Sequence, residues 1–393
     1  MKIYIAGVGM GSEGLLTTEV SKALALCKNI IGPQRIVEKY KDEKNVFTAY
    51  KPEDIKVIAD SLNGDTIVLM GGDTGFYSGA VKAAEALSGY DTVIIPGISS
   101  VSYFSSRLKM PWQDWKLLST HGADRNVIGW INKIPKVFAI LNDGGDINKL
   151  CDKLILYKMD NVRLYVGENL SYDSERIVCG SPKELKDMVY GRLAVMLAVN
   201  NEAKTQFWQL KDEEFIRGKV PMTKTEIRTL SLAKLCLDKN SVLYDIGAGT
   251  GSVGISAALI NPDIKVYAID RNPKAVQLVE KNKVKFRADN VKIVFGEAEC
   301  AMGNLESCTH AFIGGSGGNL EQIINIIFEK NADARIVINA VTVDSLVEIH
   351  NIIEKYSLQS EIIMASISVG ESVGKHTIMK ANNPVYVITI GRG

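Results

Sequence analysis

The chain has 393 residues, more than a single core usually supports, so two domains are the starting expectation. Hydrophobic side chains make up 46% and charged ones 23%, and 46 basic against 45 acidic residues leave a net charge of +1, without the basic excess that marks nucleic-acid binders. Six scattered cysteines, with no C-x-x-C pair and no histidine at ligand spacing, point to no metal site and read as reduced thiols.

In chain order, Met1-Lys2-Ile3-Tyr4-Ile5 enters a strand rather than a secretory leader. Later apolar runs are strand-length and stop at glycines, so the expectation is a cytoplasmic protein that spans no membrane. Strands are predicted at Lys2–Ala6, Thr66–Met70, Thr92–Ile95, Lys136–Leu141, Val162–Val166 and Leu193–Val199, with helices at Leu15–Cys27, Ser78–Leu87 and Ile147–Leu156. This alternation signals an α/β fold. A polar stretch from Asn200 to Lys219 reads as the junction, with the break near position 205, giving domains 1–205 and 206–393. The second half restarts with a helix at Thr225–Leu235, then strands at Ser241–Ile246, Lys265–Ile269, Val291–Phe295, Ala311–Ile313 and Arg335–Val341. Helices are expected at Pro273–Phe286, Asn319–Glu329 and Val343–Lys355. The tail, Glu361–Ser366, Thr377–Lys380 and Val385–Ile390, reads as an antiparallel finish to a mainly parallel sheet.

The sharpest motif is Leu243-Tyr244-Asp245-Ile246-Gly247-Ala248-Gly249-Thr250-Gly251, a strand running into a glycine loop from which a helix opens at Ser252. Gly249, Gly251 and Gly254 also satisfy G-x-G-x-x-G, so a dinucleotide, and with it a nicotinamide-dependent oxidoreductase, has to be weighed. Asp245 argues against it: a carboxylate beside the loop repels a pyrophosphate and attracts the ammonium or sulfonium of S-adenosylmethionine. Asp270 ends the next strand, where it can accept from ribose hydroxyls. Phe295-Gly296-Glu297-Ala298-Glu299 follows the third strand, and Ile313-Gly314-Gly315-Ser316-Gly317-Gly318 ends the fourth with more glycine than a turn needs, which lets the backbone lie against a large flat ligand.

In the first half three glycine turns close parallel strands: Gly7-Val8-Gly9-Met10-Gly11, Gly71-Gly72-Asp73-Thr74-Gly75 and Pro96-Gly97-Ile98-Ser99-Ser100. They should converge on one sheet edge, with Asp73 favouring a cationic methyl donor. His121-Gly122 reads equally as a cleft-lining pair or an ordinary turn and is not assigned.

Together with Met222-Thr223-Lys224-Thr225-Glu226-Ile227-Arg228 and Ala268-Ile269-Asp270-Arg271-Asn272-Pro273, the second-half motifs resemble the cobalamin-pathway methyltransferases that act at carbon 15 and remove the carboxylate of the carbon-12 acetate arm. That resemblance implies a Rossmann-like class I fold with Thr223, Gly247, Ala248, Gly249, Thr250, Gly251, Asp270 and Ala298 against the cofactor; Glu299 departs from the family's usual proline. The first-half turns resemble the two-lobed tetrapyrrole methylase family, and Ile30-Ile31-Gly32-Pro33-Gln34-Arg35 resembles its carbon-5 branch. Gly7, Gly9, Gly72, Asp73, Ser99 and Ser100 would hold its cofactor, with Thr74 and Met10 standing where prolines are usual. The two in this order resemble the fused precorrin-6Y C(5,15)-methyltransferase (decarboxylating) family or its cobalt-precorrin counterpart. The resemblance implies one S-adenosylmethionine per domain, a precorrin or cobalt-precorrin substrate and a homo-oligomer. The ring carbon is its own nucleophile, so no catalytic triad is expected. Lys224, Arg228, Arg271 and Ser316 are candidate substrate anchors, and replacing Arg228 is expected to weaken tetrapyrrole binding more than cofactor binding. An RNA methyltransferase with an accessory domain is the other rival, opposed by the neutral charge.

Overall fold

The structure, a computed structural model, describes residues 1–122, 125–204 and 210–392. The expected break at position 205 therefore lies outside the described residues. Chain contacts separate two compact units, one drawn from residues up to 201 and the other from 202 onward; the second also takes in residues 125–134 and 156–158.

The first unit contains two sheets. Strands β1 (Lys2–Gly7), β2 (Asn29–Gly32), β3 (Asn45–Thr48), β4 (Thr66–Met70) and β5 (Asp91–Ile95) form an all-parallel sheet in the order β3-β2-β4-β1-β5. Alternation along each strand feeds a core on both faces. Ala6, Ile30, Ile67 and Leu69 pack with Val20 and Leu24 on one side, while Ile3, Ile5, Ile31, Val68 and Met70 pack with Ile55 and Ala83 on the other. Strands β6 (Lys116–Ser119), β7 (Lys136–Ile140), β8 (Arg163–Glu168), β9 (Arg176–Gly180) and β10 (Ala194–Val199) make a mixed sheet ordered β6-β7-β10-β8-β9, antiparallel apart from β6 with β7.

The second unit is built on seven strands: β11 (Val242–Ile246), β12 (Lys265–Asp270), β13 (Val291–Phe295), β14 (His310–Ile313), β15 (Arg335–Ala340), β16 (Gln359–Ala365) and, after a hairpin of β17 (Ser368–Val373) and β18 (His376–Ala381), β19 (Val385–Gly391). Their order is β13-β12-β11-β14-β15-β19-β16, with β19 antiparallel between β15 and β16. The strand order reverses between β11 and β14, so their C-terminal loops open a crevice where ligands of such sheets sit. Cores fill both faces here too: Tyr244, Ile246, Ile336 and Ile388 on one, Leu243, Val266, Val337 and Val387 on the other. The α/β reading and the antiparallel finish hold. Five short strands, β2, β3, β6, β9 and β17, had not been foreseen. Among the described residues no helix is long and apolar enough to cross a membrane.

Candidate functional site

In the first unit the three glycine turns meet at the C-terminal edge of the parallel sheet. Gly9 and Gly72 exchange backbone hydrogen bonds of 3.0 and 2.6 Å, and Val8 donates to the Met70 carbonyl at 2.9 Å. Asp73 accepts the Gly97 N–H on Oδ1 at 3.1 Å, which ties the second turn to the third. Thr74, in the place of the usual proline, is buried and directs its hydroxyl to the Ile95 carbonyl at 3.4 Å. A β-carbon on Gly7 would stand 2.8 Å from both the Gly72 carbonyl oxygen and the Gly97 nitrogen, so this junction admits no side chain. Beside it lies a cavity of about 770 Å³ lined by Gly9, Gly72 and Ser100 among the predicted residues. Gly7, Asp73 and Ser99 shape the turns without lining it; Ser99 caps the helix Ser100–Leu108 by accepting the Ser102 N–H at 3.2 Å. A β-carbon on Gly72 would meet nothing within 4 Å, so the glycine leaves a cradle open to a ligand. His121 does line this cavity, and so do Arg35 and Arg192, whereas no carboxylate does among the described residues.

In the second unit, a cavity of about 200 Å³ opens between the β11, β12, β13 and β14 loops, lined by Gly247, Asp270, Arg271, Glu297, Ala298 and Ser316 among others. Gly247 sits at φ +68°, a left-handed backbone that disfavours any β-carbon, and a β-carbon there would lie 2.7 Å from the Gly315 carbonyl. Asp270 is held by two backbone donors, Gly249 N–H to Oδ2 and Asn272 N–H to Oδ1, both 2.8 Å. Arg271 faces Glu297 at 3.4 Å across the exposed rim. Gly315 is open on its cavity side, again a cradle for a ligand. Of the loop run, Gly247 alone lines this cavity; Ala248 and Thr250 are buried, Gly249 binds Asp270, and Gly251 caps the helix Ser252–Ile260.

Asp245 requires a correction. It does not stand beside the ligand but lies 1% exposed under the loop, its Oδ2 accepting the Gly254 N–H at 2.8 Å and its Oδ1 without a hydrogen-bond partner. Desolvation pushes this carboxyl up to about 7; the Gly254 N–H opposes the shift and the Asp270 charge adds to it. Its direct role is to brace the loop against the helix that follows.

Arg228 is the second correction. At 2% exposure it lies over the Phe215 ring, 4.9 Å from its centroid, and donates to the carbonyls of Thr223 and Leu210, to Thr225 and to Asp212. Burial pushes its guanidinium down from the usual range while Asp212 opposes that shift. The side chain pins the 210–215 segment to the helix Thr225–Leu235 and does not line the cavity. Lys224 is exposed and 3.6 Å from Asp212, and Thr223 is half-buried; neither lines the cavity. Asp212, Phe215, Arg192 and Tyr172 escaped the sequence reading because their partners are distant in the chain or fall in stretches without periodicity. Arg35 was visible only as part of a family-like run.

The precorrin methyltransferase domain family matches residues 214–392, and the tetrapyrrole (corrin/porphyrin) methylase family matches residues 2–186. A cobalt-precorrin-6B C(15)-methyltransferase (decarboxylating) of Salmonella typhi is 37% identical over 182 residues, 46% of this chain and 94% of that one. A precorrin-6Y C(5,15)-methyltransferase [decarboxylating] of Sinorhizobium sp is 25% identical over 354 residues, 87% of this chain and 85% of that one. The solved structure of a precorrin-6y C5,15-methyltransferase of Geobacter metallireducens GS-15 is 35% identical, covering 47% of this chain and 95% of its own, with a TM-score of 0.45.

Proposed function

Because the chain belongs to the precorrin methyltransferase family, with a tetrapyrrole methylase unit preceding it in one polypeptide, we propose that it methylates one corrin precursor from two separate sites. It is an S-adenosylmethionine-dependent C-methyltransferase of cobalamin biosynthesis that also decarboxylates its substrate. In this reading the first domain, residues 1–205, methylates carbon 5. The second, residues 206–393, methylates carbon 15 and releases the carboxylate of the carbon-12 acetate arm. Each binds one S-adenosylmethionine, the substrate is a precorrin or cobalt-precorrin rather than a nucleic acid, and the protein works in the cytoplasm as a homo-oligomer. The exposed Val369, Val373, Ile378 and Met379 of the β17–β18 hairpin support self-association.

The observation that carries the reading is the pair of glycine cradles at the C-terminal edges of two parallel strand sets, open at Gly72 and at Gly315. Both fit a ligand that packs directly on backbone. When bound, S-adenosylmethionine supplies an electrophilic methyl group on a sulfonium. The chain then has to align a ring carbon with it and keep water out, which is catalysis by positioning. In the second unit Asp270 is fixed by two N–H donors so that its remaining lone pairs can take ribose hydroxyls, and Arg271 and Ser316, which line the same cavity, are the anchors for the tetrapyrrole. Purified protein given S-adenosylmethionine and the metal-free or cobalt-loaded precursor should yield a product with two added methyl groups and one carbon dioxide lost by mass spectrometry. Tighter binding of NAD than of S-adenosylmethionine in a thermal-shift comparison would refute the assignment.

A further inference from the structure

We propose that Arg35, held in place by Tyr172, is the carboxylate anchor of the first-unit cavity and selects tetrapyrroles whose side arms are free acids. The inference rests on the tetrapyrrole reading above and adds a named specificity residue to it. Arg35 follows β2 in the short helix Gln34–Val37 and lines the cavity. Its Nη1 donates to the Tyr172 hydroxyl at 3.1 Å. Two of the glycine turns make room for this pair. A β-carbon on Gly71 would lie 2.8 Å from Arg35 Nη2, and one on Gly11 would lie 2.2 Å from the Tyr172 ring and hydroxyl. The turns that form the cradle thus also seat the arginine against it.

Charge supports the assignment. A guanidinium carries five N–H donors in a planar fork that matches a carboxylate, and one bond to a phenol leaves most of them unused. Among the described residues Arg35 makes no ion pair, and the lining contains Arg192 and His121 but no carboxylate to neutralise it. Glu175, which accepts the N–H of Ser171 next to Tyr172, is occupied by Arg107 at 2.7 Å and by the Tyr103 hydroxyl at 2.6 Å. A polycarboxylate ligand supplies the missing counter-charge; a neutral one leaves the fork unmatched.

The test uses the full chain with ¹³C-methyl S-adenosylmethionine and follows methylation at carbons 5 and 15 separately by NMR. The precursor is offered with free acid arms and with amidated arms. Arg35→Ala should raise KM for the acid precursor at carbon 5 by about tenfold, the size expected for losing a charged hydrogen-bond partner, and leave carbon 15 unchanged. The amidated precursor should show equal KM in wild type and variant. Tyr172→Phe should give a smaller rise with the same acid-over-amide signature, and Arg35→Lys should recover part of the loss. A carbon-5 KM within twofold of wild type, an equal rise for acid and amide, or loss of S-adenosylhomocysteine binding in both Arg35→Lys and Tyr172→Phe would overturn the anchor alone. A wild-type protein that methylates neither carbon would overturn the tetrapyrrole reading and this inference with it.

Discussion

Burial makes the Asp245 carboxyl a poor host for negative charge and pushes it up to about 7, since the one hydrogen bond it accepts, from the Gly254 N–H, offsets only part of the lost solvation. Its folded value, about 7, lies above the unfolded one of 3.8, so the native state holds the proton longer. The stability this contributes is present below about pH 4 and is lost as pH rises through about 7. Subtracting the melting curve of Asp245→Asn from that of wild type across pH 4 to 8 should leave a difference that drifts against wild type with rising pH; a flat difference would reject the buried acid. Arg228 belongs to the same class of residue, chemistry enclosed by packing. Arg228→Ala should lower unfolding free energy by about 3 kcal/mol, because it removes the donor to the Leu210 and Thr223 carbonyls and empties the space over Phe215. Denaturant titration would read that loss. Tetrapyrrole affinity falling with no loss of stability would restore the anchor role first expected of it. The charge argument identified both residues as important from type and motif. Their burial was not legible: Asp245 is covered by the helix that carries Gly254, and Arg228 by Leu210, Asp212 and Phe215, which lie in a stretch without periodicity.

The elements were legible in proportion to their length and regularity. The helices Thr225–Leu235 and Pro273–Phe286 and the strands Thr66–Met70 and Val291–Phe295 have the limits their patterns predict. β2, β3 and β6 have four residues each, too few for a period to emerge. β9 alternates weakly, and every residue of β17 is exposed. The helix expected from Ser78 starts at Ala80 because Gly79 occupies its N-cap and Tyr77 sits at φ +48°. The glycine loops were legible because their composition is imposed by contact. Gly247→Ala pairs a left-handed φ with a 2.7 Å approach to Gly315, so it should destabilise the second unit by about 2 kcal/mol and weaken cofactor binding. Calorimetric titration of the variant checks the second part.

At the scale of the molecule, two family matches lie on one chain, each over a unit with its own cavity, and if each cavity is a site the two chemistries are separable by substitution. Gly315→Leu adds a side chain toward the second cavity without a clash within 4 Å at its β-carbon. Carbon-15 methylation and carbon dioxide release should drop about a hundredfold while carbon-5 methylation persists, as seen in the mass of the accumulated product. Loss of both activities together would mean that one cavity serves both steps. The near balance of charge, +1 over 393 residues, fits a protein whose selectivity lies inside pockets rather than across its surface.

The place of β19, antiparallel between β15 and β16, also bears on how the protein is made. An interior strand of the sheet is the last of its seven to leave the ribosome, so β15 and β16 wait with unpaired edges until Tyr386 to Gly391 have emerged. A nascent chain halted by a premature stop just before Val385 would expose those edges to its neighbours, and aggregation rather than a shortened enzyme is the outcome to expect.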